Sequence, residues 1–205
     1  GGWGRGHGPD AVRQRPGEAA SGRPRTRGFF RPSRVAAVMT VSVREATAAD
    51  LEAIRAVAED AWYAALGGAL DPAEIAGALE TYYDSEVVTA GIESDAIAFY
   101  VASVEGAVCG FASAERTWAD EVELHTIYVH PDRWGEGIGR ALLDRVETWA
   151  RGEGVDRIAC GVLAGNAVGI GFFESVGFER GRATEVEIVG ATHEEYEYEY
   201  DLRST

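Results

Sequence analysis

From Thr40 onward the apolar residues recur with two periods, and the switches between them mark off the elements. Val41-Ser-Val-Arg-Glu alternates with period two and predicts a short strand. Leu51, Ile54, Val57, Ala58 and Ala61 then recur at helical spacing behind Asp50, a residue type that caps helices. Gly67-Gly68 ends that helix. Asp71-Pro72 opens another, with proline at its first position and Ile75, Leu79 and Tyr82 behind it. Ile97–Val104 and Val108–Ala114 predict two strands joined at Glu105-Gly106 as a hairpin. A further strand covers Val122–Val129, a helix Ile138–Arg151, a strand Ile158–Leu163 and a short helix Asn166–Val176. The tail alternates twice, over Glu185–Val189 and Glu194–Tyr200. Helices between strands, with a hairpin early and another late, predict an α/β chain: a mixed sheet with helices packed on it.

Residues 1–38 break this regularity. They are rich in Gly, Pro and Arg and show neither period, which predicts a disordered basic extension ahead of a domain over 39–205. Translation ahead of a start at Met39, a targeting segment and a basic arm are the competing readings of that stretch. Charge divides at the same place. Residues 1–38 carry eight Arg against Asp10 and Glu18, whereas the remainder carries 11 Arg against 32 acids, a balance of −21. The chain contains no lysine. Such a composition is similar to that of proteins from salt-loving archaea, in which carboxylates keep the surface hydrated. An acidic domain has no basic patch to meet phosphates, so a nucleic-acid partner is not expected. No apolar run approaches the roughly 20 residues of a membrane helix, so no membrane partner is expected and the domain is read as cytoplasmic. Cys109 and Cys160 sit singly inside apolar runs, and the four histidines show no ligand spacing, so no metal is expected.

Candidate chemistry concentrates between Glu123 and Leu143. Pro131 stops the strand, and Gly135, Gly137 and Gly139 leave a backbone free to turn tightly just where the helix of Ile138, Leu142 and Val146 begins. A glycine turn feeding a helix N-terminus presents free N–H groups and the positive dipole end, which suits a pyrophosphate. Arg140 in the first turn adds a candidate phosphate contact. Two nucleotide motifs fail here. The P-loop requires a Gly-Lys-Ser/Thr sequence, and the Rossmann fingerprint requires G-x-G-x-x-G where this chain has G-x-G-x-G.

The stretch Ile127-Tyr-Val-His-Pro-Asp-Arg-Trp-Gly-Glu-Gly-Ile-Gly-Arg-Ala-Leu-Leu resembles the central motif of the GNAT acetyltransferase superfamily. A second block, Asn166-Ala-Val-Gly-Ile-Gly-Phe-Phe-Glu-Ser-Val-Gly-Phe, resembles the motif that follows it in that family. The order of elements from Thr40 to Leu202 matches as well. The resemblance implies a mostly antiparallel sheet splayed between two central strands, with acetyl-CoA as cosubstrate wedged in the gap. It implies that Ile127, Tyr128 and Val129 offer main-chain groups to the pantetheine arm. The stretch Trp134, Gly135, Glu136, Gly137, Ile138, Gly139 and Arg140 would cradle the pyrophosphate, with Asn166 and Phe173 beside the cosubstrate. Trp134 stands where the family usually has Gln or Arg. Phe173 stands where a tyrosine often protonates the departing thiolate, and a phenyl ring cannot do so.

The activity implied is acetyl transfer to a primary amine, of a small molecule or a protein, by direct attack in a ternary complex. A protonated amine needs a base. The resemblance offers Glu123, which matches a strand glutamate of the histone-modifying branch, with His125 on the same strand as second candidate. The branch acting on protein N-termini carries its glutamate at the position of Gly161, which closes that route here. A noncatalytic acyl-CoA-binding module is the alternative. Tyr196, Tyr198 and Tyr200 alternate with Glu195, Glu197 and Glu199, so the last hairpin is expected to line a cationic site or a homodimer interface.

Overall fold

Glu105 and Gly106 take positive φ values of 53° and 82°, the conformation that closes a two-residue hairpin without splaying its strands. They join β2 (Ile97–Val104) to β3 (Ala107–Trp118). The computed structural model describes residues 40–118 and 120–204, so the predicted extension over 1–38 lies outside the described residues. On either side of the hairpin, β1 (Val41–Glu45) and β4 (Glu121–Val129) add antiparallel to make a four-stranded meander. β5 (Arg157–Leu163) pairs parallel with β4, and the terminal hairpin of β6 (Glu179–Ile188) and β7 (Ala191–Asp201) adds through β7. The sheet order is β1-β2-β3-β4-β5-β7-β6. One parallel pair in an otherwise antiparallel sheet needs a crossover, and α4 (Ile138–Gly152) supplies it.

Helices cover both faces. α1 (Leu51–Leu66), α2 (Pro72–Tyr82) and α3 (Ser85–Glu93) lie on one side, over a core that contains Ile54, Ile75, Val101 and Phe111. α4 and α5 (Ala167–Ser175) cover the other, over Leu142, Val146, Val122 and Ile158. Ile138, Leu142, Leu143, Val146 and Ala150 are all buried, which is the stripe the helical spacing predicts. α3 is an element the periodicity did not predict. The Asp84 side chain accepts from the Glu86 N–H at 2.8 Å and starts it, although Val87-Val88-Thr89 is a β-branched run of weak helix formers.

The late strands also run longer than their alternation suggested. β6 begins at Glu179, and Val189, predicted as its end, is a turn residue with φ 49°. Tyr196, Tyr198 and Tyr200 do share a face, but that face packs into the chain's own core beside Phe173 and Phe178. Tyr198 is fully buried there, and Tyr196 and Tyr200 are partly exposed.

The entry to α1 is held by a buried carboxylate. Asp50 accepts two bonds from the Arg44 guanidinium, each 2.7 Å, and one from the Thr47 N–H at 2.8 Å. Arg44 foremost holds the Asp50 carboxyl down at about 2. A carboxyl depressed in the folded state stabilises above its ordinary value and loses that contribution as pH falls toward 2. The shift corresponds to about 2 kcal/mol. Asp50→Asn is expected to lower the urea midpoint at pH 7 and to leave it nearly unchanged at pH 2. Equal losses at both values would contradict the assignment.

Candidate active site

β4 and β5 are paired only through Glu121↔Arg157, Val122↔Ile158 and Glu123↔Ala159. Beyond Glu123 they part, and a cavity of about 600 Å³ occupies the opening, within the range of small-molecule sites. Leu124 to Val129 line it from β4, Cys160 to Leu163 from β5, and the stretch from Arg133 to Arg140 closes its far end. The splayed sheet implied by the resemblance is present.

A β-bulge marks the vertex of the gap. Thr126 faces Ser113 and Leu124 faces Ala114, so His125 has no partner residue on β3. Toward the open end, the His130 N–H donates to the Cys109 carbonyl at 2.8 Å. Main-chain groups alternate along a strand, so those of Tyr128 face β3 as well, and those of Ile127 and Val129 face the gap. The expected main-chain contribution of Tyr128 is corrected accordingly. Its side chain packs between Trp62, Tyr83 and Phe111, where burial pushes its hydroxyl up to about 12. Trp134 donates its indole N–H to the Val129 carbonyl at 2.8 Å, a contact the motif does not announce.

Gly135 and Gly137 adopt φ 80° and 81°, and a Cβ on either would point into open space. Gly137 is the residue at which α4 begins, so the first N–H groups of that helix follow it directly. Gly139 is glycine for another reason: a Cβ there would meet the Phe172 ring at 2.9 Å, so it lets α4 and α5 approach. Ile138 lines the cavity but is buried in the core. Arg140 lies at the site, although its guanidinium is bound to Asp144 at 2.6 Å and to the buried Glu147 at 3.0 Å. Arg133, unmarked by the sequence reading, also lines the cavity. Glu136 is outside the lining, and its carboxylate accepts from Arg133 at 3.4 Å.

Asn166 lines the cavity and caps α5, its side-chain oxygen accepting from the Gly169 N–H at 2.8 Å. Phe173 shows one edge to the cavity and packs its ring against Phe178 and Tyr198. At the vertex, His125 lines the cavity and lies 3.7 Å from Glu115. Glu123 is exposed and is not part of the lining. Glu195 of β7 is part of it, and nothing in the motifs of the chain singles Glu195 out. Cys109 and Cys160 are buried free thiols, as their apolar surroundings predict.

The acetyltransferase (GNAT) family matches residues 52–178, the span from α1 to the end of the second motif. The chain belongs to the GNAT acetyltransferase family. Among its GNAT relatives is an L-methionine sulfoximine/L-methionine sulfone acetyltransferase of Pseudomonas aeruginosa, 30% identical over 69% of this chain and 81% of that protein. An uncharacterized N-acetyltransferase of Methanocaldococcus jannaschii is 31% identical over 43% of this chain, which spans only 42% of that relative's length. The GNAT fold is shared with the PaiA N-acetyltransferase of Thermoplasma acidophilum, solved in complex with coenzyme A. That likeness has a TM-score of 0.69 at 22% identity and covers 79% of this chain and all of the other.

Proposed function

We propose that this protein transfers the acetyl group of acetyl-CoA to the primary amine of a small, amino-acid-like molecule by direct attack in a ternary complex. The observation that carries this reading is the gap between β4 and β5, with a positive-φ glycine turn and a helix start at its mouth. Pantetheine would lie along the main-chain groups of Ile127 and the N–H of Val129, the Val129 carbonyl being held by the Trp134 indole. The pyrophosphate would meet the backbone from Gly135 to Arg140, with Arg133 as the nearby cation and Asn166 across the gap. Glu123 and His125 stand at the vertex, the end of the gap where a proton acceptor is required. The amino-acid acceptor named for the Pseudomonas relative supports the substrate class. The lysine-free acidic composition supports a salt-rich cytoplasm as the setting, and a melting temperature that falls in molar KCl would count against it.

Thiol release from acetyl-CoA in the presence of an amine panel, methionine sulfone included, tests the activity. Release that depends on the amine is the expected result. Phe173 favours one second reading, a noncatalytic acyl-CoA-binding module, because it removes the proton donor. That reading predicts saturable binding without turnover. Either reading predicts protection against heat: coenzyme A at a hundred times its Kd adds about 2.7 kcal/mol, or roughly 5–10 °C in a domain of this size. A melting temperature indifferent to coenzyme A would remove the site altogether.

A further inference from the structure

We propose that Glu195 is the carboxylate that receives the acceptor amine and takes its proton, acting from β7 across the bare backbone of Gly161. This inference rests on the acetyltransferase reading above. Its basis is a substitution of space. A Cβ at position 161 would overlap the carboxyl carbon and both oxygens of Glu195, so the glycine on β5 makes the room in which that carboxylate lies. β5 is one wall of the gap, and the carboxylate resting on it lines the cavity, whereas Glu123 does not. The glycine turn stands at the opposite end, roughly 13 Å away as measured along β4 from Val129 to His125 at ~3.3 Å per residue.

The surroundings suit a base. Glu195 is half-buried, and that burial, followed by the charges of Glu123 and Glu197, raises its proton affinity above that of an ordinary glutamate. A carboxylate so tuned takes a proton more readily near neutral pH. The titratable groups around it are Glu123 of β4, Cys160 of β5 and Glu197 of β7, and His125 of β4 lines the same cavity. The same cavity is lined by Trp62, Leu66, Tyr82, Val186 and Ile188, which suits an amine with an apolar body.

The step balances without a tyrosine. The ammonium gives one proton to Glu195, and the freed nitrogen lone pair forms a bond to the thioester carbonyl carbon. On collapse the C–S bond breaks with its electron pair going to sulfur. The nitrogen, now positively charged, passes a proton through water to that thiolate, and Glu195 releases its own proton to solvent. The products are the acetamide, the thiol and one proton.

Glu195→Gln keeps the shape and removes the base. It is expected to lower kcat by about 10²-fold while coenzyme A affinity is unchanged, and to abolish the acid limb of the kcat/KM profile. In a second pair of variants, Glu195→Ala is compared with Glu195→Ala/Gly161→Asp, which returns a carboxylate to the same space from β5. At least about tenfold recovery is expected in the double variant. A Glu195→Gln enzyme within about twofold of the parent rate at every pH, with the acid limb retained, overturns the assignment but leaves the acetyltransferase reading intact. A parent enzyme that binds coenzyme A yet turns over no amine overturns both.

Discussion

Gly137→Val is expected to weaken coenzyme A binding by about 10²-fold or more, a loss of roughly 3 kcal/mol. Two effects act together. At φ 81° a β-branched residue is strained by about 1–3 kcal/mol, so the turn either shifts or holds its shape at that cost. A Cβ here points into space that no protein atom fills, at the point where α4 begins. The valine methyls would thus stand where the pyrophosphate must approach the backbone. Gly137→Ala separates the two contributions, since it keeps most of the strain and adds far less bulk. Calorimetric titration of both variants with coenzyme A, alongside their melting temperatures, checks the result. A folded Gly137→Val protein with the parent's affinity would show that the turn does not hold the phosphates.

Phe111→Ala is expected to destabilise the protein by about 3–5 kcal/mol, the range for truncating a fully buried aromatic. Phe111 on β3 has no exposed surface and meets Phe99 and Tyr83 at 6.0 Å and Tyr128 at 5.7 Å between ring centroids. Its removal leaves a void under α1 that these rings cannot all move to fill. Urea unfolding should show a lower midpoint with the same slope, because the native state stays compact. Tyr128 lies between Ile127 and Val129, so the wall of the gap loosens as well. A stability loss below about 1 kcal/mol would mean that the aromatic cluster repacks freely.

Local patterns in the sequence were strong where one residue type answers one demand. The strand of Ile97–Val104 appears with its predicted ends, and α4 begins at the predicted Ile138; the Glu105-Gly106 turn fixes the end of the one and Gly137 the start of the other. The mouth of the site was legible for the same reason: positive φ at Gly135 and Gly137 leaves a mark in the sequence. α3 was not, since three β-branched or small residues in succession carry a strand preference that packing overrides. Glu195 was legible only as one of three alternating glutamates. Its role depends on the register that sets β7 beside β5 and on a glycine 34 positions earlier, and long-range pairing has no local signature. Its neighbours Glu194, Glu197 and Glu199 have the same composition and different surroundings. Arg140 shows the converse: helix position marked it as a phosphate contact, but Asp144 and Glu147 on the same helix already hold it.

The short pairing between β4 and β5 has a consequence for how this protein behaves at high concentration. Past Glu123 each of the two strands has a ladder on one side only, so the middle of the sheet contains two unpaired borders. Such borders elsewhere recruit strands from other molecules and seed aggregation. Here they lie inside a cavity that an incoming strand must first enter, and the Val129 carbonyl is already covered by the Trp134 indole. The cosubstrate proposed for the gap would cover those borders while bound, and the indole is the guard that stays behind.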